Sequence, residues 1–156
     1  MARYSAQVKS ASALAVDTAF AALVPAAAVA CKLRRVTLGV VAGATTPTSQ
    51  QLTIGINRGT ARGTATTTVA GQKLDPRSAA SGITGLDTVW STPPTFSVSA
   101  DQYRVSFNSQ SGVDLPWELL EEFVSDVGTA NPLVFVNRDN ALPASHSYVL
   151  SVEWEE

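Results

Sequence analysis

The chain of 156 residues holds one cysteine, Cys31, one histidine, His146, and one methionine. A single cysteine excludes an internal disulfide and any zinc centre built from several thiolates. A free cysteine otherwise packs as a small apolar residue, and Cys31 is read as buried. A single histidine leaves a serine or cysteine nucleophile almost no choice of base. His146 stands in "PASHSY", a turn feeding the last strand, where an exposed position is expected, and no GxSxG elbow accompanies it. Charge is scarce as well: 15% of residues are charged, against roughly 25% in average soluble domains. Spaced Asp/Asn calcium loops are missing, so Glu118, Glu121 and Glu122, and the closing Glu153, Glu155 and Glu156, read as a solvated face or a subunit contact. No metal, cofactor or catalytic residue is expected.

The apolar stretch "AFAALVPAAAVAC", Ala19 to Cys31, runs for thirteen residues. That is too short for a bilayer span. Asp17 precedes it and Pro25 breaks any helix inside it. A lipoprotein signal ending at Cys31 fits poorly. Residues 1–30 are therefore expected as an extended N-terminal arm and first strand, with residues 31–156 as one β-sandwich domain. No membrane partner is expected.

What is present is small, β-branched and turn-forming: alanine, threonine, serine and valine, with ten glycines and eight prolines. Alternation dominates. "QLTIGIN" places Leu52, Ile54 and Ile56 on one face, "QYRVSF" Tyr103, Val105 and Phe107, and "SYVLSVEW" Tyr148, Leu150, Val152 and Trp154. In "KLRRVTLGVV" the phase of Val36, Leu38 and Val40 is opposite to that of Val29, Cys31 and Leu33, so a β-bulge or bend is expected at Arg34–Arg35. Turn clusters such as "GATTPTSQ", "GQKLDPRSAASG", "STPP" and "NRDNALPASH" separate the strands. The pattern predicts an all-β, antiparallel sandwich or barrel. "PWELLEEFV", Pro116 to Val124, is the one plausible short helix, and it equally suits a strand continuing the sheet.

"INRGTARGTATTTVAG", Ile56 to Gly71, has glycines and arginines suggestive of a phosphate loop. The GxxxxGK[ST] signature is not met, because no lysine follows Gly63, and "TATTTV" suits a strand and not a helix start. The segment is read as a turn or bulge joining two strands, with an anion grip through Arg58 and Arg62 as the sharper alternative.

Net charge is −2, unevenly spread. Residues 1–78 hold nine Lys/Arg and two acids, and residues 79–156 hold two Arg and eleven acids. Internal pairing between the halves is the first expectation. Surfaces of opposite sign that favour contacts between copies are the second. The basic residues are scattered, unlike a nucleic-acid footprint, so no nucleic-acid partner is expected.

Trp90, Trp117 and Trp154 are large apolar anchors, suited to a core or an interface. Trp90 in "DTVWSTPP" lies beside a proline-stiffened turn. With Tyr4 in the arm and the two arginines, the candidate contact residues are Tyr4, Arg58, Arg62, Trp90 and Trp117.

The order of segments from Lys32 to Glu156, through "KLDPRSAA", "LDTVWSTPPT", "VSFNSQSGVDLPWE", "NPLVFVNRDNAL" and "SYVLSVEWEE", resembles a group of small tailed-bacteriophage proteins. These are capsid decoration (cement) or related head proteins with a jelly-roll β-sandwich. The resemblance implies a structural virion protein, made in the host cytoplasm and seated on the capsid surface. It implies binding to the major capsid protein, assembly as a homotrimer and no enzymatic activity. The alternative is a carbohydrate- or receptor-binding β-sandwich of a tail or fibre, which requires exposed aromatics along a concave face.

Overall fold

A computed structural model describes all 156 residues. Thirteen strands follow one another and no helix interrupts them. They are β1 Arg3–Lys9, β2 Thr18–Val24, β3 Lys32–Val41, β4 Gln51–Ala61, β5 Thr64–Val69, β6 Gln72–Lys73, β7 Gly85–Thr92, β8 Thr95–Phe96, β9 Tyr103–Asn108, β10 Val113–Pro116, β11 Phe123–Val124, β12 Leu133–Arg138 and β13 Ser147–Glu155. They form two antiparallel sheets. The first runs β10-β3-β13-β1-β6, with β11 also on β3. The second runs β5-β7-β2-β12-β4-β8, with β9 also on β4. The all-β, two-sheet expectation holds.

The alternating residues meet between the sheets. Leu33, Val36, Leu38, Leu150, Val152 and Trp154 come from the first sheet, and Phe20, Leu23, Leu52, Ile54, Ile56 and Phe135 from the second. Each of these side chains is almost wholly buried. Burial at this level stabilises by about 1.5–3 kcal/mol per large apolar side chain. The phase change in β3 is a bulge as expected. Glu153 faces Arg35 and Trp154 faces Leu33, so Arg34 is the extra residue.

The N-terminal arm is a correction. Residues 3–9 pair with β13 along their whole length, from Arg3 opposite Glu155 to Lys9 opposite Val149. Tyr4, Ala6 and Val8 point into the core. The period-2 pattern in "RYSAQVK" is weak because alanine stands at the middle inward position. The apolar segment after it is a central strand, since β2 lies between β7 and β12. The first thirty residues therefore supply one strand to each sheet.

Of the two readings of Pro116–Val124, the helix does not form and the strand forms only at the two ends. Pro116 pairs with Arg35, Phe123 pairs with Leu33, and Trp117–Glu122 loop out between them, opposite the Arg34 bulge. A nine-residue helix has little intrinsic stability, while the free edge of β3 satisfies the backbone on both flanks.

The seven-stranded sheet curls at one end. β4 and β5 are separated in it by β12, β2 and β7. Laid flat, they would stand about 19 Å apart, four strand spacings. The link between them is only Arg62–Gly63, which spans at most about 11 Å between flanking Cα atoms. The sheet must curl. Gly63, at φ 72°, fits the crease: a Cβ there would lie 2.2 Å from the Thr92 carbonyl oxygen. A second small core, Ala19, Ala22, Val24, Val134 and Val136, fills the back of the curl, with Trp90 and Phe96 packed on it. This explains the alanines of β2. Both faces of that strand are covered, and small side chains let the sheet bend.

Candidate interaction surfaces

Part of the charge pairs across the two halves, as first expected: Arg34, Arg35, Arg62 and Asp17 of the first half meet partners in the second, and other pairs form within a half. Arg34, in the bulge, donates through Nε and Nη2 to Glu155 at 3.0 and 2.8 Å and lies 3.6 Å from Glu122. Arg35 grips Asp114 with two hydrogen bonds, 2.8 and 2.7 Å. Asp114 hydrogen-bonds mainly to Arg35, and this holds its carboxyl below the usual range. Arg138, buried in β12, donates to both oxygens of Asp101 at 2.9 and 2.6 Å and also to Asp17. Burial pushes the Asp101 carboxyl up, but hydrogen bonds from Arg138, Asn57 and Arg104 outweigh it and hold the group low. This cluster clamps the loop before β9 onto the sheet, where Gly55 leaves room: a Cβ there would lie 2.6 Å from Asp101 Oδ2. These ions are committed to the fold.

The candidate contact residues fall into two sets. Tyr4 is 2% exposed and stacks on Trp154 with ring centroids 6.0 Å apart, so it is a core residue and not a contact. Arg62 holds the buried Asp87 carboxylate at 2.7 and 3.0 Å, so it closes the curl and is not free to grip an anion. Arg58 is exposed and makes no ion pair or side-chain hydrogen bond. Trp90 and Trp117 are half-buried. His146 is a further correction: it is 6% exposed. Its Nε2 accepts from the Thr48 N–H at 3.0 Å, so Nδ1 carries the proton and donates to the Ala144 carbonyl, 3.0 Å. The histidine staples two loops together. Cys31 is buried as expected, and its thiol lies 3.3 Å from Ser125 Oγ.

Three surfaces remain. The first is the outer face of the six-stranded sheet. The register aligns Ser5, Glu153, Arg35 and Pro116 in one row, and Gln7, Ser151, Thr37 and Asp114 in the next. Lys9, Val149 and Gly39 form a third. The residues of these rows are exposed or half-buried, and most of their side chains are polar. An open groove of about 450 Å³ borders the face between Thr37–Val40 and Ser109–Asp114.

The second surface is the looped-out turn. Trp117 and Phe123 fold back and meet edge to face at 5.4 Å, with Tyr103 against both at 5.9 and 6.0 Å. That brace leaves Leu119 62% and Leu120 90% exposed. Leu120 has φ 74°, a left-handed conformation costing about 1–2 kcal/mol for a residue with a Cβ. Glu118 and Glu121 flank the leucines and form no ion pair. Sequence reasoning did not single out this pair. The available signal was "ELLEE", two leucines enclosed by acids, which the helix reading absorbed.

The third surface is an apolar pocket of about 210 Å³ beside Trp90, whose walls include Ala11, Leu14, Phe20, Val89 and Pro93. It opens where the chain leaves β1 and enters β2.

In comparisons with known proteins, no protein-family model, no curated protein and no solved structure matches the chain.

Proposed function

We propose that the chain is a structural protein of a tailed-phage virion that binds the outside of the capsid shell and stabilises it. On this reading the two-sheet body is of the jelly-roll type, the partner is the major capsid protein, and no reaction is catalysed. The open polar face of the six-stranded sheet carries the proposal. It is broad and made of registered rows on four strands, and its strongest charges are already paired within the chain. A surface of this kind suits another protein better than a small molecule, because small ligands prefer concave, largely apolar sites. The short side chains among them, Ser5, Ser151 and Thr37, lose little rotamer entropy when covered, and Arg35 is already held by Asp114.

The glycan-binding alternative draws less support from the aromatics. Tyr103, Trp117 and Phe123 pack on one another, and Trp90 lies in a separate pocket. They do not form the shared concave platform that reading requires.

Co-sedimentation with empty shells of the phage that encodes the chain tests the proposal. The wild-type chain is expected to pellet with shells and raise their resistance to heat. Ser151→Arg, in the middle of the face, is expected to reduce pelleting with little change in the melting temperature of the free protein. Binding to a glycan array without shell association would overturn the proposal.

A further inference from the structure

The exposed leucine turn and the Trp90 pocket are complementary, yet one molecule cannot join them. The turn leaves from β11 and β10 on the free edge of β3. The pocket opens at the end of β1, on the other side of β13. Three strand spacings, about 14 Å, separate β11 from β1 within the sheet, and the intervening strands are fully paired.

We propose that the Leu119–Leu120 turn of one copy seats in the Trp90 pocket of a second copy, joining subunits head to tail. Three observations support this. The fit in size is good: an apolar cavity of about 150 Å³ already accepts a benzene-sized group, and this pocket is about 210 Å³. The chemistry matches, since a branched aliphatic side chain held out in water meets walls of Leu14, Phe20, Val89 and Trp90. The charges are complementary. Glu118 and Glu121 beside the leucines are unpaired acids, while Lys9, two residues from Ala11 in the pocket wall, is an exposed cation without an ion pair. The Lys9 carbonyl lies 3.5 Å from the hydroxyl of Thr88, another wall residue. Opposite signs at the two ends of a contact favour this register over a symmetric one.

A surface that fits a different surface of the same molecule makes a heterologous contact, which closes into a ring or runs on as a chain. Lys9 also ends one row of the polar face, but the contact involves no shell protein, so a measurement without shells separates its failure from failure of shell binding.

The test is sedimentation velocity on the full chain across a concentration series, without shells. Wild type is expected to self-associate. Leu120→Asp removes the knob, and Val89→Asp or Ala11→Glu spoils the pocket. Each is expected to weaken association at least roughly tenfold, as for an interface anchor, while leaving the melting temperature close to wild type. The decisive sample mixes Leu120→Asp with Val89→Asp. One retains a pocket and the other a knob, so the mixture is expected to form a capped 1:1 dimer although neither variant associates alone. A wild type that stays monomeric to millimolar concentration would overturn the proposal. So would variants that associate as wild type does, or a mixture that stays monomeric.

Discussion

The Arg62 guanidinium and the Asp87 carboxylate face each other through paired hydrogen bonds of 2.7 and 3.0 Å, and so tie the two-residue β4–β5 link to β7. The Asp87 side chain is fully buried. Arg62→Ala leaves that charge with only the Thr68 hydroxyl. Breaking a buried pair from one side costs about 3–5 kcal/mol. Arg62 is partly exposed, so the lower end, about 3 kcal/mol, is expected in urea unfolding. Replacing both partners with apolar residues of similar size is expected to cost less than Arg62→Ala alone.

Deleting Met1–Lys9 is expected to lower the melting temperature sharply or prevent folding. The segment supplies a full strand to β13 and covers Trp154 with Tyr4. Trp154→Ala removes a wholly buried indole and is expected to cost about 3–5 kcal/mol. A deletion variant with wild-type melting behaviour would show that the first strand is dispensable.

Much of this architecture is legible in the sequence. The strands with Leu52–Ile56 and Tyr148–Trp154 alternate cleanly because one face is apolar and the other polar or small. The bulge at Arg34 shows as a phase change because a single inserted residue inverts every later side chain. What was hidden has physical reasons. β2 carries no alternation, since the curled sheet buries both its faces. The leucine turn resembles a helix because acids and leucines are good helix formers, and only the free edge of β3 decides otherwise. His146 gave no sign of burial, because its partners Thr48 and Ala144 are backbone groups.

Acid unfolding is expected to follow the clamp around Asp101. Its folded-state carboxyl is held below the ordinary value, so the unfolded chain takes up the proton first as pH falls. The stabilisation is complete above the unfolded carboxylate range, near pH 4, and is lost as pH falls through the depressed folded value. Asp101→Asn is expected to lower stability at pH 7 and flatten the acid limb of a plot of unfolding free energy against pH. An unchanged limb would remove the clamp from the account.

Alkaline conditions are expected to act through Cys31. Burial is the main cause that pushes its thiol up to about 11, against the lowering effect of its hydrogen bond with Ser125. The unfolded thiol ionises first, so this contribution is intact below the ordinary thiol value and is lost as pH rises toward 11. Because the thiolate is the reactive form, a thiol reagent at pH 8 is expected to label the native protein far more slowly than the urea-unfolded chain. Equal rates would show that the Cys31 site opens readily.

The central claim is that this body presents its surfaces to other protein on a shell. On the proposed function, cryo-electron imaging of a tailed-phage particle whose genome carries the gene for this chain tests it most directly. The account predicts density for the chain on the outer surface of the head, with the β1, β13 and β3 face turned toward the shell. Density confined to the tail, or a head surface bare of it, would contradict the account.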